Sequence, residues 1–118
     1  MSTQNLYSAS LRKMLDQREK MSLEGMKSFL SSLNCPDDEI DSVINGIIVD
    51  LIMDKLLPSG SLFTLLLQQI REVVTDITQE RLKNILDYIA SKGWVRIKKE
   101  PDKIFKIKVP LPNREINI

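Results

Sequence analysis

TQERLKNILDYIASKGWVRIKKEPDKIFKIKV, residues 78–109, reads as one amphipathic helix running directly into a basic two-stranded hairpin. Ile77 and Leu82 occupy the two positions of a hydrophobic staple around Thr78, whose hydroxyl can cap the helix. Leu82, Ile85, Leu86 and Ile89 then recur on one face, so the spacing predicts a helix over 78–92. Its end is expected at Lys92-Gly93, because glycine accepts the left-handed backbone that closes helices. From Trp94 the hydrophobic period changes from about 3.6 residues to 2.

In Trp94-Val95-Arg96-Ile97-Lys98 and Phe105-Lys106-Ile107-Lys108-Val109, apolar and basic residues alternate. The alternation predicts Val95, Ile97, Phe105, Ile107 and Val109 on the core side and Arg96, Lys98, Lys106 and Lys108 together on the wet side. Lys99-Glu100-Pro101-Asp102-Lys103 has the polar, proline-containing chemistry of an exposed connecting loop.

Upstream, Ile40, Val43, Ile44, Ile47, Ile48, Leu51, Ile52 and Leu56 follow helical spacing over 38–57, with Asp38, Glu39 and Asp41 at the positive end of the helix dipole. Pro58-Ser59-Gly60 breaks the chain before a second helix over 62–74. Leu62, Phe63, Leu65, Leu66 and Leu67 make its start apolar on nearly every side, which suggests a central or interfacial helix. Ahead of both, Ser8 or Ser10 is expected to cap a short helix carrying Leu11, Met14, Leu15 and Met21, after the polar residues 1–7. A further helix runs from Ser22 or Leu23 to Asn34, with Leu23, Met26, Phe29, Leu30 and Leu33 on one side. This divides the chain into a helical extension (1–36), a main module (37–110) and a tail (111–118) whose Pro112 disfavours an inner strand. The fold class expected is mainly α with a C-terminal β-hairpin.

The net charge of +1 conceals an uneven distribution. Residues 1–80 hold seven Lys/Arg against twelve Asp/Glu, a net of −5, whereas residues 81–108 hold nine against three, a net of +6. A polyanion feels the local charge within a Debye length of about 8 Å, not the total. The chain has no histidine and one cysteine, so neither a disulfide framework nor a Cys/His zinc site can be assembled, and Cys35 reads as an inert thiol. No histidine base and no phosphate-cradling glycine loop is present; Asp37-Asp38 suit helix capping, and Asp50 with Asp54 a solvated pair. No catalytic residue, metal or cofactor is expected, and the chain does not read as an enzyme. Met1-Ser2-Thr3-Gln4-Asn5 lacks the pattern of a secretory signal, and Asp50, Asp54, Lys55 and Pro58 interrupt the apolar 47–67 stretch. A cytoplasmic protein without a membrane span is expected. With aromatics at 5%, the core must be aliphatic. Trp94, Phe29, Phe63 and Phe105 are expected to pack inside it, and Met14, Met21, Met26 and Met53 to fill gaps. Met14, Met21 and Met26 are also candidates for an adaptable contact surface.

The order of helix 38–57, helix 61–74, the short turn Thr75-Asp76-Ile77, helix 78–92 and a Gly93-Trp94-Val95 lead into a basic hairpin resembles the winged helix-turn-helix superfamily. Leu82 to Val95 carries the likeness best: a hydrophobic helix ending in Lys-Gly, then an apolar strand. The resemblance covers about half the chain. It implies that helix 78–92 presents Gln79, Arg81, Asn84, Tyr88 and Lys92 to a DNA groove. Arg96, Lys98, Lys106 and Lys108 on the hairpin, with Lys92, would neutralise phosphates. The partner implied is double-stranded DNA, the role transcriptional regulation, and the assembly a homodimer formed through the N-terminal helices. Glu80 and Asp87 share the exposed side of the helix and oppose phosphate. The alternative is a winged-helix adaptor that docks a protein partner without DNA, supported by the apolar 62–67 segment and the acidic first two-thirds. Two departures from the superfamily pattern are read: no short strand between its first two helices, which leaves a two-stranded wing, and a longer second helix.

Overall fold

The chain runs α1 (Thr3–Arg18), α2 (Leu23–Ser32), α3 (Asp37–Lys55), β1 (Ser61–Leu62), α4 (Phe63–Arg71), α5 (Gln79–Ser91), β2 (Val95–Lys98) and β3 (Lys103–Lys106). This is the order in the computed structural model, which describes residues 3–99 and 102–110, with side chains from Leu6 onward. The expected tail 111–118, and Glu100-Pro101 of the hairpin loop, lie outside the described residues.

The axis of the molecule is α3. Ile40, Val43, Ile44, Ile47, Ile48, Val49, Leu51, Ile52 and Met53 are all buried, which leaves little of this helix facing water. The other four helices pack on it. At the seam with α1, the Arg12 guanidinium donates to Asp50 at 3.0 Å. The central role expected of the 62–74 helix therefore belongs to α3. Helix α4 is shorter than the spacing predicts, buries Phe63, Leu66, Leu67 and Ile70, and leaves Leu65 exposed.

Helix ends follow local chemistry. Ser22 Oγ accepts from Gly25 N at 3.0 Å to start α2, and Thr78 Oγ1 accepts from Arg81 N at 3.0 Å to start α5. At the end of α5, Gly93 takes φ +77°, its N–H donates to Ala90 O, and the N–H of Trp94 donates to Ile89 O. These two bonds satisfy carbonyls that the helix alone leaves free. Asn34 closes α2 in the same way at φ 63°, with Cys35 N donating to Leu30 O. Asparagine is the non-glycine residue that best tolerates that backbone.

The N-terminal helix begins at Thr3, ahead of the caps expected at Ser8 or Ser10, and ends before Met21. Met21 lies in an extended link that pairs with the turn after α4: its N–H donates to Val73 O at 2.9 Å and its carbonyl accepts from Thr75 N at 3.1 Å. The adjacent Leu23 N–H donates to Asp76 Oδ1 at 2.7 Å. Met21 and Met26 are buried, so they belong to the core and not to a contact surface.

Three strands form one antiparallel sheet in the order β1-β3-β2, where the sequence suggested two. Strand β1 is two residues long, too short to show a period. It is built by Gly60 at φ +90°, by the Ser61 hydroxyl accepting from Leu57 N at 3.1 Å, and by Phe63 N donating to Asp102 O at 2.9 Å. The register pairs Val95 with Lys106, Arg96 with Phe105, Ile97 with Ile104 and Lys98 with Lys103. Opposed residues of an antiparallel pair share a face, so Val95, Ile97 and Ile104 turn inward while Phe105 turns outward. Strand β3 starts at Lys103 instead of Phe105, and that shift reverses the faces expected for it. Ile107 and Val109, expected in the core, lie past β3 and are 60% and 59% exposed.

Candidate nucleic-acid interface

The inward stripe of α5 is Leu82, Ile85, Leu86 and Ile89, all buried, which orients the rest of the helix. At 100° per residue, Glu80, Asn84, Asp87 and Ser91 stand opposite that stripe, and all four are exposed. Gln79 and Lys92 are exposed on the flanks. The centre of the outward face is thus two carboxylates, one amide and one hydroxyl.

Arg81 does not join it. Its Nε donates to Asn45 Oδ1 of α3 at 3.1 Å, its Nη2 lies 3.6 Å from Asp41 Oδ1, and the side chain is only 22% exposed. The guanidinium ties α5 to α3, and its charge is answered within the chain. Tyr88 is half-buried edge-on to Trp94, with ring centroids 6.4 Å apart at 79°, and Lys92 Nζ lies 5.4 Å from the Tyr88 ring centre. Trp94 itself is buried. Of the helix residues expected to read bases, Gln79 and Asn84 are presented outward, whereas Arg81 and Tyr88 serve the packing.

The sheet divides the predicted cations. Arg96 and Lys98 share its outer face, joined there by Lys103, opposite Lys98 in the register, and by Phe105, opposite Arg96. Lys106 pairs with Val95 and so belongs to the other face, although its side chain reaches solvent. Lys108 lies beyond the strand, where its N–H donates to Trp94 O at 3.1 Å. The four hairpin cations named from the alternation are therefore not coplanar; Arg96, Lys98 and Lys103 are the set that shares a surface.

That surface is built around Phe105. The Arg96 guanidinium sits 4.8 Å and the Lys103 ammonium 5.5 Å from its ring centre, distances suited to attraction by the ring face. Gly60 fits closely beneath: a Cβ there would come 2.6 Å from Phe105 Cε1. Leu62, 43% exposed, opposes Lys103 on the same face. None of the strand residues on this face is acidic. The result is a half-buried aromatic flanked by two cations, with Lys98 beside them on the same face, able to take anionic oxygens by charge-assisted hydrogen bonds.

Lys103 is the cation of this face that the alternation missed. Its signal was loop length: a hairpin turning over 99–102 pairs Lys98 with Lys103, whereas the Ile104-Phe105 doublet leaves the phase of the strand ambiguous. Among the described residues no helix is long and apolar enough to cross a membrane. Comparison with protein-family models, curated proteins and solved structures finds no match to this chain.

Proposed function

We propose that this is a winged-helix protein that binds duplex DNA, led by phosphate contacts from the outer face of its sheet. The observation that carries the reading is that Arg96, Lys98 and Lys103 share one sheet face, Arg96 and Lys103 against Phe105, with no acidic residue among the strand residues of that face. The order α3-β1-α4-α5-β2-β3, with β3 between β1 and β2, agrees with the winged-helix arrangement. In that arrangement α5 is the groove-facing helix and β2-β3 the wing.

Phosphate contacts position a protein on DNA and base contacts give it sequence preference. With Glu80 and Asp87 central on α5, only Gln79 and Asn84 of the predicted base readers face outward, so binding is strong in charge and weak in sequence preference. The role that follows is a cytoplasmic transcriptional regulator, in which a homodimer compensates for modest single-site affinity. Fluorescence anisotropy with a labelled duplex tests it. The double variant Lys98→Glu, Lys103→Glu abolishes binding at about 50 mM salt, a condition under which even non-specific electrostatic contact registers. Unchanged affinity in that variant removes the assigned surface.

A second reading is favoured by one specific observation, the carboxylates at the centre of α5 together with exposed Leu62 and Leu65. On this reading the same fold is an adaptor that docks a protein partner. Wild-type protein that binds no duplex at about 50 mM salt, yet co-purifies with a partner resistant to nuclease, supports the adaptor over the DNA binder.

A further inference from the structure

Between α5 and the hairpin lies a cleft of about 200 Å³. Its floor is apolar, made by Phe63, Leu86, Ile97 and Ile104, three of them buried and Ile97 half-buried. Among the described residues, each wall carries one exposed cation and one exposed anion: Lys83 and Asp87 on α5, Lys99 and Asp102 on the hairpin side. Lys83 and Asp87 are one helical turn apart, a spacing at which opposite charges ordinarily pair. Yet the ion pairs among the described residues are Arg12–Asp50 and Arg81–Asp41, neither of them in this cleft. Lys83 Nζ instead stands 5.5 Å from the centre of the Phe63 ring.

An apolar floor below two charges of each sign, none of them in an ion pair among the described residues, selects its occupant. A purely anionic ligand meets Asp87 and Asp102, a purely cationic one meets Lys83 and Lys99, and a neutral apolar one answers neither pair. A zwitterion answers both. Clefts for drug-sized ligands run to roughly 300–1,000 Å³, so this one suits a smaller molecule. We propose that the cleft binds a free α-amino acid with an apolar side chain. The ammonium pairs with Asp87 and Asp102, the carboxylate with Lys83 and Lys99, and the side chain rests on Phe63, Leu86, Ile97 and Ile104. The cleft shares Asp87 with the outward side of α5, so its test reads the small ligand directly and involves no nucleic acid.

The experiment is a titration of the ¹⁵N-labelled full chain, followed by amide NMR, with L-leucine, L-phenylalanine and glycine. Leucine or phenylalanine gives saturable shifts at the amides of Leu86, Ile97 and Ile104, and glycine does not at the same concentration. 4-Methylpentanoate and 3-methylbutylamine keep the apolar group and lose one charge, and each binds about tenfold more weakly than leucine. The variant Asp87→Asn, Asp102→Asn weakens leucine binding by a similar factor while keeping native amide dispersion. The proposal is overturned if no amino acid gives saturable shifts up to about 20 mM, far above the range of a specific site. Equal binding by glycine or by the singly charged analogues, or shifts confined to other regions, overturns it as well.

Discussion

Gly60 and Gly93 both hold a left-handed backbone, at φ +90° and +77°, yet their surroundings differ. A methyl at Gly60 meets the Phe105 ring at 2.6 Å, whereas a methyl at Gly93 meets nothing within 4 Å. Gly93→Ala therefore costs the backbone penalty alone, about 1 kcal/mol, and Gly60→Ala adds displacement of the ring, for about 2–4 kcal/mol in total. Urea denaturation of the two variants checks the order; equal losses contradict the packing of Phe105 on Gly60. Cys35 gives a second residue-level expectation. Burial, then the nearby carboxylates of Glu39, Asp37 and Asp38, push its thiol above the ordinary value. At neutral pH it stays protonated and shielded, so a disulfide reagent labels it slowly in the folded protein and rapidly in denaturant. Rapid labelling of the native chain contradicts this. The sequence shows one cysteine without basic neighbours, which agrees with a thiol held protonated. The inward turn of Arg81 was not, because its partners Asp41 and Asn45 lie a whole helix away in the chain.

Among the elements, α5 was the most legible. Staple, cap, apolar stripe and closing glycine all agree locally, and the structure places Thr78, Lys92 and Gly93 in those roles. The hairpin was legible as a pair of strands and ambiguous in register. Ile104 and Phe105 are adjacent apolar residues, either of which continues an alternating pattern, and the choice between them depends on a third strand too short to read. That choice moved Lys106 off the outer face and Lys103 onto it. A consequence belongs to α5 as an element. If its outward carboxylates oppose the phosphate backbone, Glu80→Gln with Asp87→Asn tightens duplex binding at low salt by about three- to tenfold, with the gain fading as salt is raised. Weaker binding in this variant contradicts the assignment of these carboxylates as groups that oppose phosphate.

For the whole molecule, the helical extension over 1–36 and the module after it share one core. Leu11, Leu15, Met26 and Leu30 belong to one buried cluster with α3, α4, α5 and Ile104. Periodicity within each helix could not reveal this, since it shows which face is apolar and not what covers it. Removing residues 1–22 uncovers α3 and breaks the Met21 hydrogen bonds to Val73 and Thr75 beside α5. Leu11, Leu15 and Met21, each buried, are worth roughly 1.5–3 kcal/mol apiece, a sum comparable to the 5–15 kcal/mol that holds an ordinary domain folded. The truncated chain therefore loses the single cooperative thermal transition expected of the full chain by circular dichroism, and retention of that transition contradicts a shared core. At this scale too the chain is electrically polarised, its acidic first two-thirds joined to a basic sheet.

The claim on which the functional account depends is that Arg96, Lys98 and Lys103 act together on a phosphate backbone. Duplex affinity measured across a salt series, for the wild type and for Arg96→Ala, Lys98→Ala, Lys103→Ala, tests it most directly. Each neutralised phosphate contributes about −0.9 to the slope of log K against log salt, so the triple variant flattens the wild-type slope by about 3. Parallel lines for the two proteins contradict the account.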